Sequence, residues 1–224
     1  HLSTVSAGFT RLAYDFLSAE GIDYVNYPLT GGPLGAENAN MLILASGSES
    51  IYSRLEPTLQ TIGNPKYFGS SVTAGAEVKL MGQLMVFNGL TGICSAAALK
   101  SECFQEELSG TEQAEFFDFL NGGAGGTRQW DVALSKGVRD NTWDQGFMTH
   151  HAVVDAIYAA KLCREAGGKA GIALSDPFCV DRHRDDFRRL VRDLDYVIGN
   201  QHEIESLFET DIETALSRTA EICP

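Results

Sequence analysis

Lys79 and Gln83 stand four residues apart in "SSVTAGAEVKLMGQLMVFNGL", residues 70 to 90, a run of small and apolar residues with helical character. On a helix that spacing puts both side chains on one face. Val78, Leu80, Met81, Leu84 and Met85 surround them with apolar surface. An ammonium held there loses hydration, so its pKa falls toward the range in which it exchanges a proton with a hydroxyl. The alternative is a lysine at the rim of a buried helix, its stem on apolar surface and its head in water. A second candidate is Thr30-Gly31-Gly32, opening "TGGPLGA". Small residues let backbone amides approach an anion closely, although a plain strand-ending turn reads the same way. A third is Asn200 with Glu203: an amide at a strand end and a carboxylate one turn into the next helix suit a hydrated divalent cation, or equally a helix cap. His150 and His151 precede Asp155, and His151 with Asp155 has i, i+4 spacing. Two ligands do not make a metal site, so none is expected.

The elements that must position these residues change character along the chain. "SAGFTRLAYDFLSAE" reads as an amphipathic helix with Phe9, Leu12, Ala13, Phe16 and Leu17 inward. "IDYVNYPL", "NMLILASG" and "PKYFGS" are strand candidates, and "ESIYSRLEPTLQTIG" is a helix, so the opening third is α/β. One long helix follows from Thr73 to about Lys100, with Gly82, Gly89 and Gly92 suggesting close helix packing. "GTEQAEFFDFLNGG" is a further helix, capped by Thr111 with Phe116, Phe117 and Leu120 inward, and "FMTHHAVVDAIYAAKLCREAGG" another, so the middle is all-α. After "REAGG" the order is strand, charged helix, strand, helix, the βαβα pattern of a doubly wound parallel sheet. Three regions result: 1-70, 71-167 and 168-224.

Composition narrows the function. Seventeen basic against thirty acidic residues give a net charge of −13 in 224 residues, which repels nucleic acid and anionic membrane surfaces. Five cysteines, with no C-x-x-C pair, indicate neither a disulfide framework nor zinc, and fit a reducing cytoplasm. No apolar run is expected to reach the roughly 18 residues of a membrane span, and no leader is seen. The chain opens on His1 inside an extended pattern and reads as a piece of something longer.

The order of these motifs, from "HLSTVS" through "LTGGPLGA" and "AGAEVKLMGQ" to "NGGAGGTRQW" and the late helix, resembles the 3-hydroxyisobutyrate dehydrogenase family of β-hydroxyacid dehydrogenases, relatives of 6-phosphogluconate dehydrogenase, over about residues 1 to 167. The resemblance implies the end of a Rossmann dinucleotide-binding domain followed by a helical domain. It makes Lys79 the catalytic lysine of a G-x-x-x-K-x-x-x-N helix, handling the proton of the alcohol that loses hydride to NAD or NADP. Thr30, Gly31 and Gly32 would hold the carboxylate of a small 3-hydroxy acid, and Ser3 and Thr4 would border the nicotinamide. A homodimer through the helical domain is implied as well. Three departures stand out: the amide is Gln83 rather than Asn, the late-helix Lys-Asp pair is Val154-Asp155, and the G-x-G-x-x-G fingerprint would belong upstream of residue 1. The chain alone is therefore expected to be inactive.

Residues 168 to 224, with "SDPFCVDRHR", Asn200 and Glu203, resemble ribokinase-like adenosine and sugar kinases, in which that pair helps to organise magnesium and phosphate. That family's Gly-Ala-Gly-Asp motif would lie beyond Pro224. The whole then reads as a join of two incomplete enzymes near residues 166 to 170. A carbohydrate kinase fragment, or a helical oligomerisation module without catalysis, are the competing functions.

Overall fold

The computed structural model describes residues 1–104, 110–142, 149–174 and 177–223, and contacts divide the chain into two compact units, His1–Asp155 and Ala156–Pro224. In the first unit, Ser6 accepts a hydrogen bond from the Phe9 amide and starts α1 (Ala7–Ala19), a cap that contributes about 1 kcal/mol. The face α1 buries is not the expected one. Ala7 and Thr10 are its buried residues, whereas Phe9, Leu12 and Phe16 are 50%, 68% and 68% exposed. The small face wins because the buried Asn26 amide reaches Thr10 Oγ1 at 3.0 Å, a contact a bulkier face would prevent.

Three strands form a sheet in the order β1-β2-β3: β1 (Leu29–Thr30) runs antiparallel to β2 (Met41–Ala45), and β2 parallel to β3 (Gly63–Tyr67). The expected strand over residues 22–29 is thus reduced to its last turnward residues, although its backbone is still paired. His1 donates its terminal amine to the Val25 carbonyl and accepts from the Tyr27 amide, the pattern of a parallel neighbour. Between the strands lie α2 (Gly32–Glu37) and α3 (Glu49–Leu59), the latter capped by Ser48. Tyr27, Ile43, Ala45, Tyr52 and Leu59 make the core, with the Tyr52 and Tyr67 rings stacked at 5.1 Å.

The long helix α4 (Ala74–Phe104) is anchored on β2. Ser46 Oγ accepts from the Gly75 amide at 2.9 Å, and a Cβ at Gly75 would lie 2.3 Å from the Leu44 carbonyl oxygen, so only glycine permits this approach. Gly89 is similarly close to Thr127, but Gly82 and Gly92 face open space, and the expected three-glycine packing stripe is not formed among the described residues. No charged residue occurs from Leu80 to Leu99, and α4 is long and apolar enough, by length and composition, to cross a membrane. The expectation of no such run is corrected: Lys79 interrupts the apolar pattern, but the uncharged stretch behind it is itself long enough. Only 11% of that window is buried within this chain, and Met81, Leu84, Met85 and Leu99 are exposed.

Helix α5 (Gly110–Asn121) begins one residue before Thr111, which therefore sits inside the first turn rather than capping it. Ala114 and Phe117 pack on Trp130 at the start of a π-helical segment (Trp130–Leu134), and the indole donates to Asp118 Oδ1 at 2.8 Å. Leu120, expected inward, is 45% exposed because the chain turns out into the glycine loop one residue later. The segment continues as α6 (Ser135–Asp140), and α7 (Thr149–Glu165) crosses from the first unit into the second.

In the second unit β4 (Gly171–Ala173) and β5 (Tyr196–Ile198) pair in parallel, as their pattern predicts. They are joined through α8 (Pro177–Arg182) and α9 (Arg184–Val191), and α10 (Gln201–Phe208) and α11 (Ile212–Ile222) follow. Leu174, Val180, Val191, Ile204, Leu207, Phe208 and Ala215 form its core. Ser175 and Asp176 of the kinase-like motif lie outside the described residues.

Candidate active site

The anchoring of α4 at Gly75 sets the depth of the residue one turn on. Lys79 is only 8% exposed, and its Nζ donates to Gln83 Oε1 at 3.0 Å. Gln83, 6% exposed, in turn donates from Nε2 to Asp155 Oδ2 of α7 at 2.5 Å. The carboxamide orientation follows from its neighbours: the flipped amide would turn its NH2 to an ammonium and its oxygen to a carboxylate. Burial pushes the Lys79 amine below the ordinary lysine value, and the Asp155 charge pulls it partly back. An amine so placed alternates between ammonium and neutral forms more readily than a surface lysine, as proton exchange with an alcohol requires. The predicted Lys79 and Gln83 pair is therefore brought together. Asp155, which the sequence suggested as a partner of His151 and as the Asp of the late-helix pair but not as a partner of Gln83, is its third member, 72 residues further along the chain. Among the described residues no cluster suited to a metal ion occurs.

The Thr30-Gly31-Gly32 turn ends β1, where Thr30 pairs with Leu42, and both glycines have positive φ, 144° and 63°. Side-chain-bearing residues rarely adopt such angles, so the loop conformation depends on these glycines and leaves its backbone approachable. The parallel pairing of His1 with Val25 and Tyr27 carries the chain direction forward so that Ser3 and Thr4 lie at the same end of the sheet as Thr30 to Gly32. Ser3 is exposed and Thr4 half-buried. β2 is shared by both halves of the constellation: β1 and its turn pair with it, and α4 is seated on it. A cavity of about 230 Å³ lined by Tyr14, Ser18, Ser46 and Ser48 contains none of these residues and plays no part.

Asn200 and Glu203 close a reciprocal capping box at the start of α10. Asn200 Oδ1 accepts from the Glu203 amide at 3.0 Å, and Glu203 accepts from the Asn200 amide at 2.9 Å and from its Nδ2 at 2.8 Å. Their polar groups are used within the cap, and Glu203 is 6% exposed.

The chain has relatives among known proteins. Residues 1–88 match the family described as the NAD binding domain of 6-phosphogluconate dehydrogenase. The 2-(hydroxymethyl)glutarate dehydrogenase of Eubacterium barkeri is 30% identical over 102 residues, 46% of this chain and 34% of that protein. A 3-hydroxyisobutyrate dehydrogenase from Salmonella typhimurium superposes with a TM-score of 0.64 at 22% identity, over 75% of this chain and 56% of that one. The corresponding Mycobacterium tuberculosis enzyme gives 0.58 at 18% identity, over 96% of this chain and 67% of that one. These two likenesses are of fold. The chain spans about a third to a half of the length of the first curated relatives it matches, from 34% to 52%. Residues 1–88 are thus related to the NAD-binding domain of 6-phosphogluconate dehydrogenase, and helices follow them as they do in the 3-hydroxyisobutyrate dehydrogenase structures.

Proposed function

We propose that this chain carries the proton-handling and substrate-gripping part of an NAD(P)-dependent 3-hydroxyacid dehydrogenase. The observation that carries the reading is the buried Lys79 amine, held by Gln83 on a helix seated against β2, the strand that pairs with the one ending in the Thr30 to Gly32 turn. Lys79 takes the hydroxyl proton as the substrate is oxidised and returns it in the reverse direction. The backbone of Thr30 to Gly32 holds the carboxylate, and Gln83 orients the hydroxyl. Ser3 and Thr4 border the nicotinamide, which when bound supplies the hydride acceptor. The 224 residues hold no G-x-G-x-x-G unit between a strand and a helix, so the chain by itself is expected not to turn over.

The test is cofactor reduction by the chain fused behind the glycine-fingerprint segment of the Eubacterium barkeri enzyme, with a panel of 3-hydroxy acids. Turnover is expected, with a loss of roughly 100-fold or more in kcat for Lys79→Met. A fusion whose turnover is indifferent to Lys79→Met refutes the reading.

The exposed apolar face of α4, with Met81, Leu84 and Met85, supports a homodimer formed through that helix. The described cysteines Cys94, Cys103, Cys163 and Cys223 are free thiols. The ribokinase-like reading of residues 168 to 224 gains nothing from Asn200 and Glu203, since a helix cap accounts for every hydrogen bond they make to each other.

A further inference from the structure

Gln83 makes two hydrogen bonds of opposite polarity. Its oxygen receives the Lys79 ammonium and its nitrogen donates to Asp155, so the orientation at one end dictates the other. Without the carboxylate only the Lys79 ammonium would set the carboxamide's orientation, and its NH2 would lose its acceptor. Asp155 is also the charge acting on Lys79 among the described residues. β2 beneath α4 has only apolar side chains, α1 presents Ala7 and Thr10 as its buried residues, and Val154 beside Asp155 is uncharged and 42% exposed.

We propose that Asp155 is the positioning residue of this site: through Gln83 it fixes the carboxamide with Oε1 on Lys79 Nζ, and its carboxylate is the counter-charge set beside the buried amine. The proposal rests on the oxidoreductase reading for its purpose, but not for its geometry. It assigns Gln83 a relaying role between Lys79 on α4 and Asp155 on α7. Asp155 touches no reacting atom and acts only through Gln83 and its charge.

The experiment uses residues 1–224 with lysine labelled with ¹³C at Cε, following the carbon shift of each lysine with pH and assigning Lys79 by its loss in Lys79→Arg. In the wild type, Lys79 is expected to titrate below the other lysines. In Asp155→Asn, with far-UV circular dichroism unchanged, its midpoint moves to still lower pH, and Asp155→Glu returns it toward the wild-type value. Where Asp155→Asn does not fold, Gln83→Met replaces it, keeping the length but cutting the relay, and the midpoint again falls. An unchanged Lys79 midpoint in the folded variant overturns the proposal, because a carboxylate that only braces α7 would leave the amine alone. Turnover of the fusion described above is measured separately. A titration that moves as expected in a protein without turnover counts against the dehydrogenase reading and leaves the relay standing.

Discussion

Replacing Gly75 by alanine tests how the fold delivers Lys79 to its depth. The new Cβ would sit 2.3 Å from the Leu44 carbonyl oxygen and 3.2 Å from that of Asn26, both of them backbone atoms that no rotamer change can move. A carbon and an oxygen rest at about 3.3 Å or more, so α4 must withdraw by roughly 1 Å. That withdrawal strains the Gly75 amide's hydrogen bond to Ser46 Oγ, now 2.9 Å, worth about 1 kcal/mol. Overpacking adds roughly 1–3 kcal/mol. Against this, alanine in a helix gains about 1 kcal/mol over glycine. The net expectation is a loss of about 1–3 kcal/mol. Gly82 provides the internal control. It lies seven residues along the same helix, and nothing comes within 4 Å of the place its methyl group would occupy, so Gly82→Ala should be neutral or stabilising by up to about 1 kcal/mol. Urea unfolding followed by circular dichroism and by tryptophan fluorescence measures both. Equal midpoints for Gly75→Ala and Gly82→Ala would refute the claim that close backbone approach seats α4.

Two further outcomes are expected. Asn200→Ala should destabilise the second unit by about 1 kcal/mol, because it removes the acceptor for the Glu203 amide and leaves only the backbone arm of the capping box; hydrogen exchange of the α10 amides reads this, and unchanged protection there would contradict it. Met85→Lys, at a position 76% exposed, should leave the folded chain intact but shift its mass by light scattering from dimer to monomer; a wild-type chain that is already monomeric at high concentration would dispose of α4 as a dimer face.

Much of the local organisation is legible from residue order alone, because it depends on contacts within one or two turns. The facing of Lys79 and Gln83 follows from a spacing of four, the turn at Gly31 and Gly32 from the absence of a Cβ, and the cap at Asn200 from a side chain that reaches its own backbone. The parallel β4 and β5 pair also follows from a strand, helix, strand order. Relations across the chain are not legible. Asp155 completes the lysine constellation from 72 residues past Gln83, and although the late-helix pattern singles it out, nothing local shows which side chain it meets.

The choice of face was decided in the same way. Apolar periodicity places Phe9, Leu12 and Phe16 inward, whereas the tight fit of α1 at Thr10 and Asn26 turns them out. Three glycines in α4 carry the same local signal, but Gly82 and Gly92 face open space while Gly75, which the pattern does not single out, meets the Leu44 carbonyl. Sequence determined which residues could form helices, turns and caps, since those are settled by each residue's own backbone and near neighbours. Tertiary structure decided which face is buried and which carboxylate meets the lysine, because burial and charge pairing depend on what packs from elsewhere in the chain.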